Sequence, residues 1–74
     1  GAALRDAEKN LSRIERALEK LAGEEASLHE TMAVHDQSDY DGLAEMATKQ
    51  AQFNVKRDQL ELEWLETSEL LQGK

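Results

Sequence analysis

Five basic side chains near the start of this chain recur at helical spacing. Arg5, Lys9, Arg13, Arg16 and Lys20 are separated by four, four, three and four residues, which lines them along one side of an α-helix. The chemistry open to such a stripe is electrostatic. Ammonium and guanidinium groups would meet phosphate oxygens of RNA or DNA without reading bases, and the contact would weaken with salt. The competing use is internal: a solvated helix face with local pairs, or a partner for the acidic residues Asp58, Glu61, Glu63, Glu66 and Glu69. Stacking of unpaired bases has little support, because Trp64 and Phe53 fall on an apolar stripe and only Tyr40 stands near an exposed tip.

Catalytic chemistry finds no constellation. There is no glycine-rich phosphate loop, no serine in a recognisable nucleophile setting and no cysteine. Carboxylates are plentiful, but a general acid needs burial or a like-charged neighbour to raise its pKa. Glu25 alone is placed for partial burial, and its expected posture is an aliphatic stem over the apolar stripe with the head in water. His29 follows Glu25 by four residues, a spacing two metal ligands can share, yet no third donor accompanies them. His35 and Asp36 are neighbours in a polar stretch, which is again too few for a structural metal. The expectation is a domain without catalytic residues, metal or cofactor.

The elements that position these residues follow from apolar periodicity. Leu4, Leu11, Leu18, Glu25 and Met32 form an a series, and Ala7, Ile14, Leu21 and Leu28 a d series, the pattern of a coiled-coil seam. After the polar stretch His35–Asp39, a second a series runs Leu43, Gln50, Arg57, Trp64 and Leu71, with Met46, Phe53, Leu60 and Thr67 at d. The reading is all-α: two long antiparallel helices, over 3–34 and 39–71 with a turn at 35–38, forming an intramolecular coiled-coil hairpin that spans residues 1–74 as one domain. The first helix would be about 45–50 Å long at about 1.5 Å per residue.

Antiparallel pairing sets Trp64 and Leu71 near Leu4 and Leu11, Phe53 and Leu60 near Ile14 to Leu21, and Leu43 and Met46 near Leu28 and Met32. Gln50 and Arg57 weaken the second seam, with Ala47, Ala51, Val55, Leu62 and Leu65 beside or behind it as compensation. Leu62 and Leu65 either widen the stripe at the free end or form a protein contact for another copy or a further part of a parent chain. Tyr40 either packs across the last turn of helix one, near Met32, or serves recognition at the tip. The second helix has three candidate caps: Ser38 with Asp41 in the form of a capping box, Asp36, or Asp39.

Composition narrows the setting. The 74 residues carry a net charge of −7, with no proline and no cysteine, so nothing forces a helix break and no oxidising compartment is required. Residues 36–74 hold nine acidic side chains against four basic, whereas residues 1–35 hold seven against five. An acidic balance repels a phosphate backbone at long range, which confines any such contact to the short stripe. No apolar run approaches the roughly 20 residues of a membrane span, and no basic-then-apolar leader opens the chain. A cytoplasmic monomer without membrane contact is expected. Gly23, inside the first helical pattern, costs roughly 1 kcal/mol relative to alanine.

Three stretches together resemble the C-terminal coiled-coil domain of the ABC-F proteins. LRDAEKNLSRIERALEKL, Leu4 to Leu21, is similar to that family's Glu/Lys-rich first helix. SDYDGLAEM, Ser38 to Met46, places Asp39, Tyr40 and Leu43 as the family's aspartate-and-tyrosine turn element does. ELEWLETSELL, Glu61 to Leu71, contains Glu63, Trp64, Leu65 and Glu66 in the manner of its closing Glu-Trp-Leu-Glu pattern. The resemblance covers essentially the whole chain. It implies a fragment of a larger cytosolic protein with two ABC ATPase modules, in which ATP and magnesium would bind elsewhere. It also implies an accessory role, helping the parent approach DNA or ribosomal RNA, or touching the parent's own ATPase modules. The branch whose C-terminal domain binds DNA is markedly basic there, and this chain departs from that pattern. The alternative is a purely structural or protein-interaction coiled coil without nucleic-acid binding.

Overall fold

The computed structural model describes residues 2–73; Gly1 and Lys74 lie outside the described residues. Two helices account for nearly all of them, α1 from Ala2–Val34 and α2 from Tyr40–Gln72. They pack side by side into an all-α hairpin of 57 × 15 × 14 Å. The bounds differ by one residue from those expected. At the turn the reason is chemical: Asp39 is the cap of α2 rather than its first helical residue.

The heptad assignment predicts the burial. All four d residues of α1, Ala7, Ile14, Leu21 and Leu28, are buried. Of the a residues, Leu11, Leu18, Glu25 and Met32 are half-buried and Leu4, near the free end, is exposed against expectation, so the partner helix sits toward the d edge of the seam. In α2 Leu60 and Thr67 are buried, and Leu43, Met46, Gln50, Phe53, Arg57 and Leu71 are half-buried. The tightest cluster is Ile14, Leu21 and Leu60, with Ala17, Leu18 and Phe53 packed against it. Phe53 and Leu60 therefore fall where antiparallel pairing sets them. Full burial of a side chain such as Ile14, Leu21 or Leu60 contributes about 1.5–3 kcal/mol, and with so few groups buried each carries a large share of the stability.

Three packing expectations need correction. Ala47, Ala51, Val55, Leu62 and Leu65 do not compensate for the polar residues in the second seam, because all five are exposed. The seam is closed there by a polar pair instead. Glu25 does not send its head into water: Arg57 Nη1 donates to Glu25 Oε1 at 2.9 Å and to Oε2 at 2.8 Å across the two helices. Trp64 sits at the seam's edge, and its indole N–H donates to Glu15 Oε2 at 3.3 Å, further along α1 than Leu4 and Leu11.

The turn selects one cap from three. Asp39 Oδ1 accepts the Gly42 N–H at 3.1 Å, and Asp39 Oδ2 lies 2.8 Å from His35 Nε2. Asp36 is occupied otherwise, accepting the Ser38 N–H at 2.9 Å and the Ser38 hydroxyl at 2.7 Å. This Asx-type turn consumes Ser38, so the capping box with Asp41 does not form. Gly42 leaves room for this geometry: a Cβ there would overlap Asp39 Oδ2 and come within 2.7 Å of His35 Nε2, so both side chains would have to move.

Candidate nucleic-acid interface

A long helix presents side chains on all sides, and the d residues of α1 are committed to the partner helix. The residues opposite them are left outside. Arg5, Lys9, Arg13, Arg16 and Lys20 are all exposed on that outer side. The first turn of α1 lends them no carboxylate, since it contains no acidic residue.

Internal pairing accounts for one of the five. Arg13 Nη2 lies 3.4 Å from Glu63 Oε2, both side chains being more than half exposed, and the same guanidinium donates to Asn10 Oδ1 at 2.8 and 3.0 Å. Such an exposed pair is worth little and exchanges readily for another anion. Arg16 turns its Nε toward the Ser12 carbonyl at 3.4 Å. Among the described residues Arg5, Lys9, Arg16 and Lys20 have no carboxylate within ion-pair distance. Interhelical neutralisation by the acidic end of α2 is thus limited to Glu63. Glu15 and Glu19 flank Arg16 on the surface and keep the local field mixed in sign.

The other singled-out residues separate from this stripe. Tyr40 is 78% exposed and does not pack across the end of α1. Leu62 and Leu65 are 58% and 50% exposed, so they do not widen the seam. They line a shallow groove with Leu18, Trp64, Asp58 and Glu61. Among the described residues no group of three or more His, Cys, Asp or Glu is placed to hold a metal ion. His29 is exposed, and His35 meets Asp39 rather than its neighbour Asp36. No described helix is long and apolar enough to cross a membrane.

Among the described residues the perturbed carboxyls lie in the turn. The Ser38 backbone N–H and hydroxyl, with a smaller attraction to His35, hold the Asp36 carboxyl below its ordinary value of 3.8. The His35 side chain first, and the Gly42 N–H second, do the same for Asp39. Each hydrogen bond favours the charged form. Their work is to fix the turn, which sets α2 against α1 and so determines what faces outward.

Two partners were not legible in the sequence: Glu15, which accepts from Trp64, was not singled out, and Glu63, one of the acidic residues expected to meet the stripe, was not assigned to Arg13. Both sit outside the a and d series. Only the antiparallel register, which a heptad pattern by itself does not specify, brings them to their partners. The fold and site thus define a two-helix coiled-coil hairpin with one exposed basic stripe. Comparison with protein-family models, with curated proteins and with solved structures gave no match to this chain.

Proposed function

We propose that this hairpin is the accessory C-terminal coiled-coil domain of an ABC-F-type ATPase, and that it helps its parent engage nucleic acid through the outer face of α1. The observation that carries the reading is that four of the five stripe cations stand exposed without a carboxylate partner among the described residues. The three sequence stretches similar to the ABC-F domain supply the parent. Arg5 to Lys20 spans about 22 Å of helix at 1.5 Å per residue, enough to follow one strand's phosphates over several nucleotides. With a net charge of −7, the contact is restricted to that face, weak and non-specific. ATP and magnesium belong to the parent's ATPase modules and not to this hairpin.

The test is fluorescence anisotropy with labelled duplex DNA, single-stranded DNA and structured RNA at about 50 and 200 mM salt. Five phosphate contacts would give a log–log salt slope of at most about −4.5 on duplex DNA. Arg16→Gln with Lys20→Gln removes two cations that hold no interhelical ion pair, and should flatten that slope by about 2. The preferred ligand among the three identifies the target. Absence of binding at the lower salt, or binding indifferent to the double substitution, would overturn the reading and leave a structural or protein-binding hairpin.

A further inference from the structure

Helix α2 carries two apolar stripes, and α1 covers only one. Ala44, Ala47, Ala51, Val55, Leu62 and Leu65 follow one another at intervals of three, four, four, seven and three residues, with Asp58 filling the remaining heptad step. At about 100° per residue they fall within an arc of roughly 80° that lies outside the a and d series, and at its free end Leu62 and Leu65 border a shallow groove with Trp64 and with Leu18 of α1. All six are exposed. Scattered exposed apolar residues are ordinary, but a heptad-spaced row of them along a helix is the surface another helix packs on. The row is graded: alanines toward the turn permit close backbone approach, and Val55, Leu62 and Leu65 offer bulk toward the free end.

The charges around this row indicate what covers it. Asp58 and Glu69 lie in line with it, and Glu61 and Glu66 border its bulky half. The cations of α2 reach only one edge of that border. Arg57 is shared between Glu25 in the seam and Glu61, whose Oε1 lies 3.7 Å from its Nε, Lys49 lines a groove beside Glu24 and Leu28 of α1, and Lys56 lies one heptad from Lys49 on the same side. A second copy docked by the same face would bring the same acidic border, with −7 on each partner, and its basic stripe on α1, Arg5 to Lys20, contains no apolar row to fill this one. We infer that the outer face of α2 docks an amphipathic helix whose apolar seam is flanked by lysine and arginine, supplied by a partner other than this chain. The inference uses a different face from the basic stripe of α1 and does not depend on nucleic-acid binding.

The probe is a synthetic four-heptad peptide with leucine at a and d and Lys or Arg at e and g, used below its own self-association concentration. A companion peptide carries Glu at e and g. Binding is read by anisotropy, and the site is mapped by amide chemical shifts of the labelled 74-residue protein. The expected result is binding of the basic peptide alone, with shifts along Ala47, Ala51, Val55, Leu62 and Leu65. Leu62→Gln with Leu65→Gln should weaken it by about tenfold or more, given the apolar burial lost, while helicity and melting stay unchanged. Three outcomes would overturn the inference: no binding, shifts confined to the turn or to α1, or affinity untouched by the double substitution. Sedimentation of the protein alone completes the test, because a dimer that the same substitution dissolves would make a second copy the occupant and sink the proposal.

Discussion

Arg57 reaches across the hairpin and donates from a single nitrogen to both carboxylate oxygens of Glu25, at 2.9 and 2.8 Å. Both residues hold a positions that leucine occupies elsewhere in the seam. The Glu25 side chain is only 13% exposed and that of Arg57 37%, so the pair is neither fully buried nor freely solvated. Its attraction is offset by desolvation, while its absence would leave a charge inside the seam. Sliding one helix by a heptad would separate the two charges, and on this argument the pair selects the register.

Arg57→Leu alone should therefore destabilise the hairpin, by about 1–3 kcal/mol, below the range for a wholly buried pair because the site opens to water. Glu25→Leu combined with Arg57→Leu should recover that loss or exceed it, since leucine at both positions restores an apolar seam. Urea denaturation of the three proteins decides the matter. A double variant less stable than Arg57→Leu alone would contradict the assignment of the pair to register rather than to net stability.

Gln50 offers a stabilising substitution. Its amide N–H donates to Asn54 Oδ1 at 3.2 Å, and that oxygen also accepts from Arg57 Nη2 at 3.0 Å. Gln50 Oε1 is buried without a hydrogen-bond partner among the described residues, and such an orphan costs about 1–3 kcal/mol. Gln50→Leu should raise the melting temperature by roughly 5–10 °C in a protein of this size. A fall in melting temperature would show that the amide is better satisfied than its geometry indicates.

Two glycines in this chain should respond in opposite directions to alanine. Nothing lies within 4 Å of a Cβ built on Gly23, so Gly23→Ala should gain about 1 kcal/mol from helix propensity and chain entropy alone. Gly42→Ala should lose stability, because its Cβ would displace the Asp39 carboxylate from the N-terminus of α2. Thermal melts followed by circular dichroism separate the two. A stabilised Gly42→Ala protein would remove Asp39 as the cap.

Acid should loosen the turn. In the unfolded chain Asp36 and Asp39 titrate near their ordinary value of 3.8, and in the hairpin both titrate lower. A carboxyl depressed in the folded state contributes stability that is present above its unfolded value and is lost as pH falls through the folded one. The melting temperature should accordingly decline below pH 3.8. Asp39→Asn keeps a capping oxygen that cannot titrate, so its decline should be shallower. An identical acid profile in the variant would remove Asp39 from the account. Carboxyl carbon shifts measured by NMR would report the two titrations directly.

The heptad spacing of Ala7, Ile14, Leu21 and Leu28 was enough to call a helix, its buried edge and its length, because a periodic apolar face has one way to leave water when a second such face is tethered to it. The second series named its own seam residues as well, Gln50 and Arg57 included. Sequence spacing also put the five cations on one side of α1, since helical geometry alone dictates that placement. What it could not decide is which surface residues meet. Glu25 with Arg57, Arg13 with Glu63 and Glu15 with Trp64 are separated by 32, 50 and 49 positions. Their encounters depend on the antiparallel register and on how far α2 is rotated toward the d edge of α1. The same rotation exposes Leu62, Leu65 and Tyr40. A heptad pattern reports period and leaves relative rotation and axial offset open, so these contacts and that second apolar row were decided only when the two helices packed.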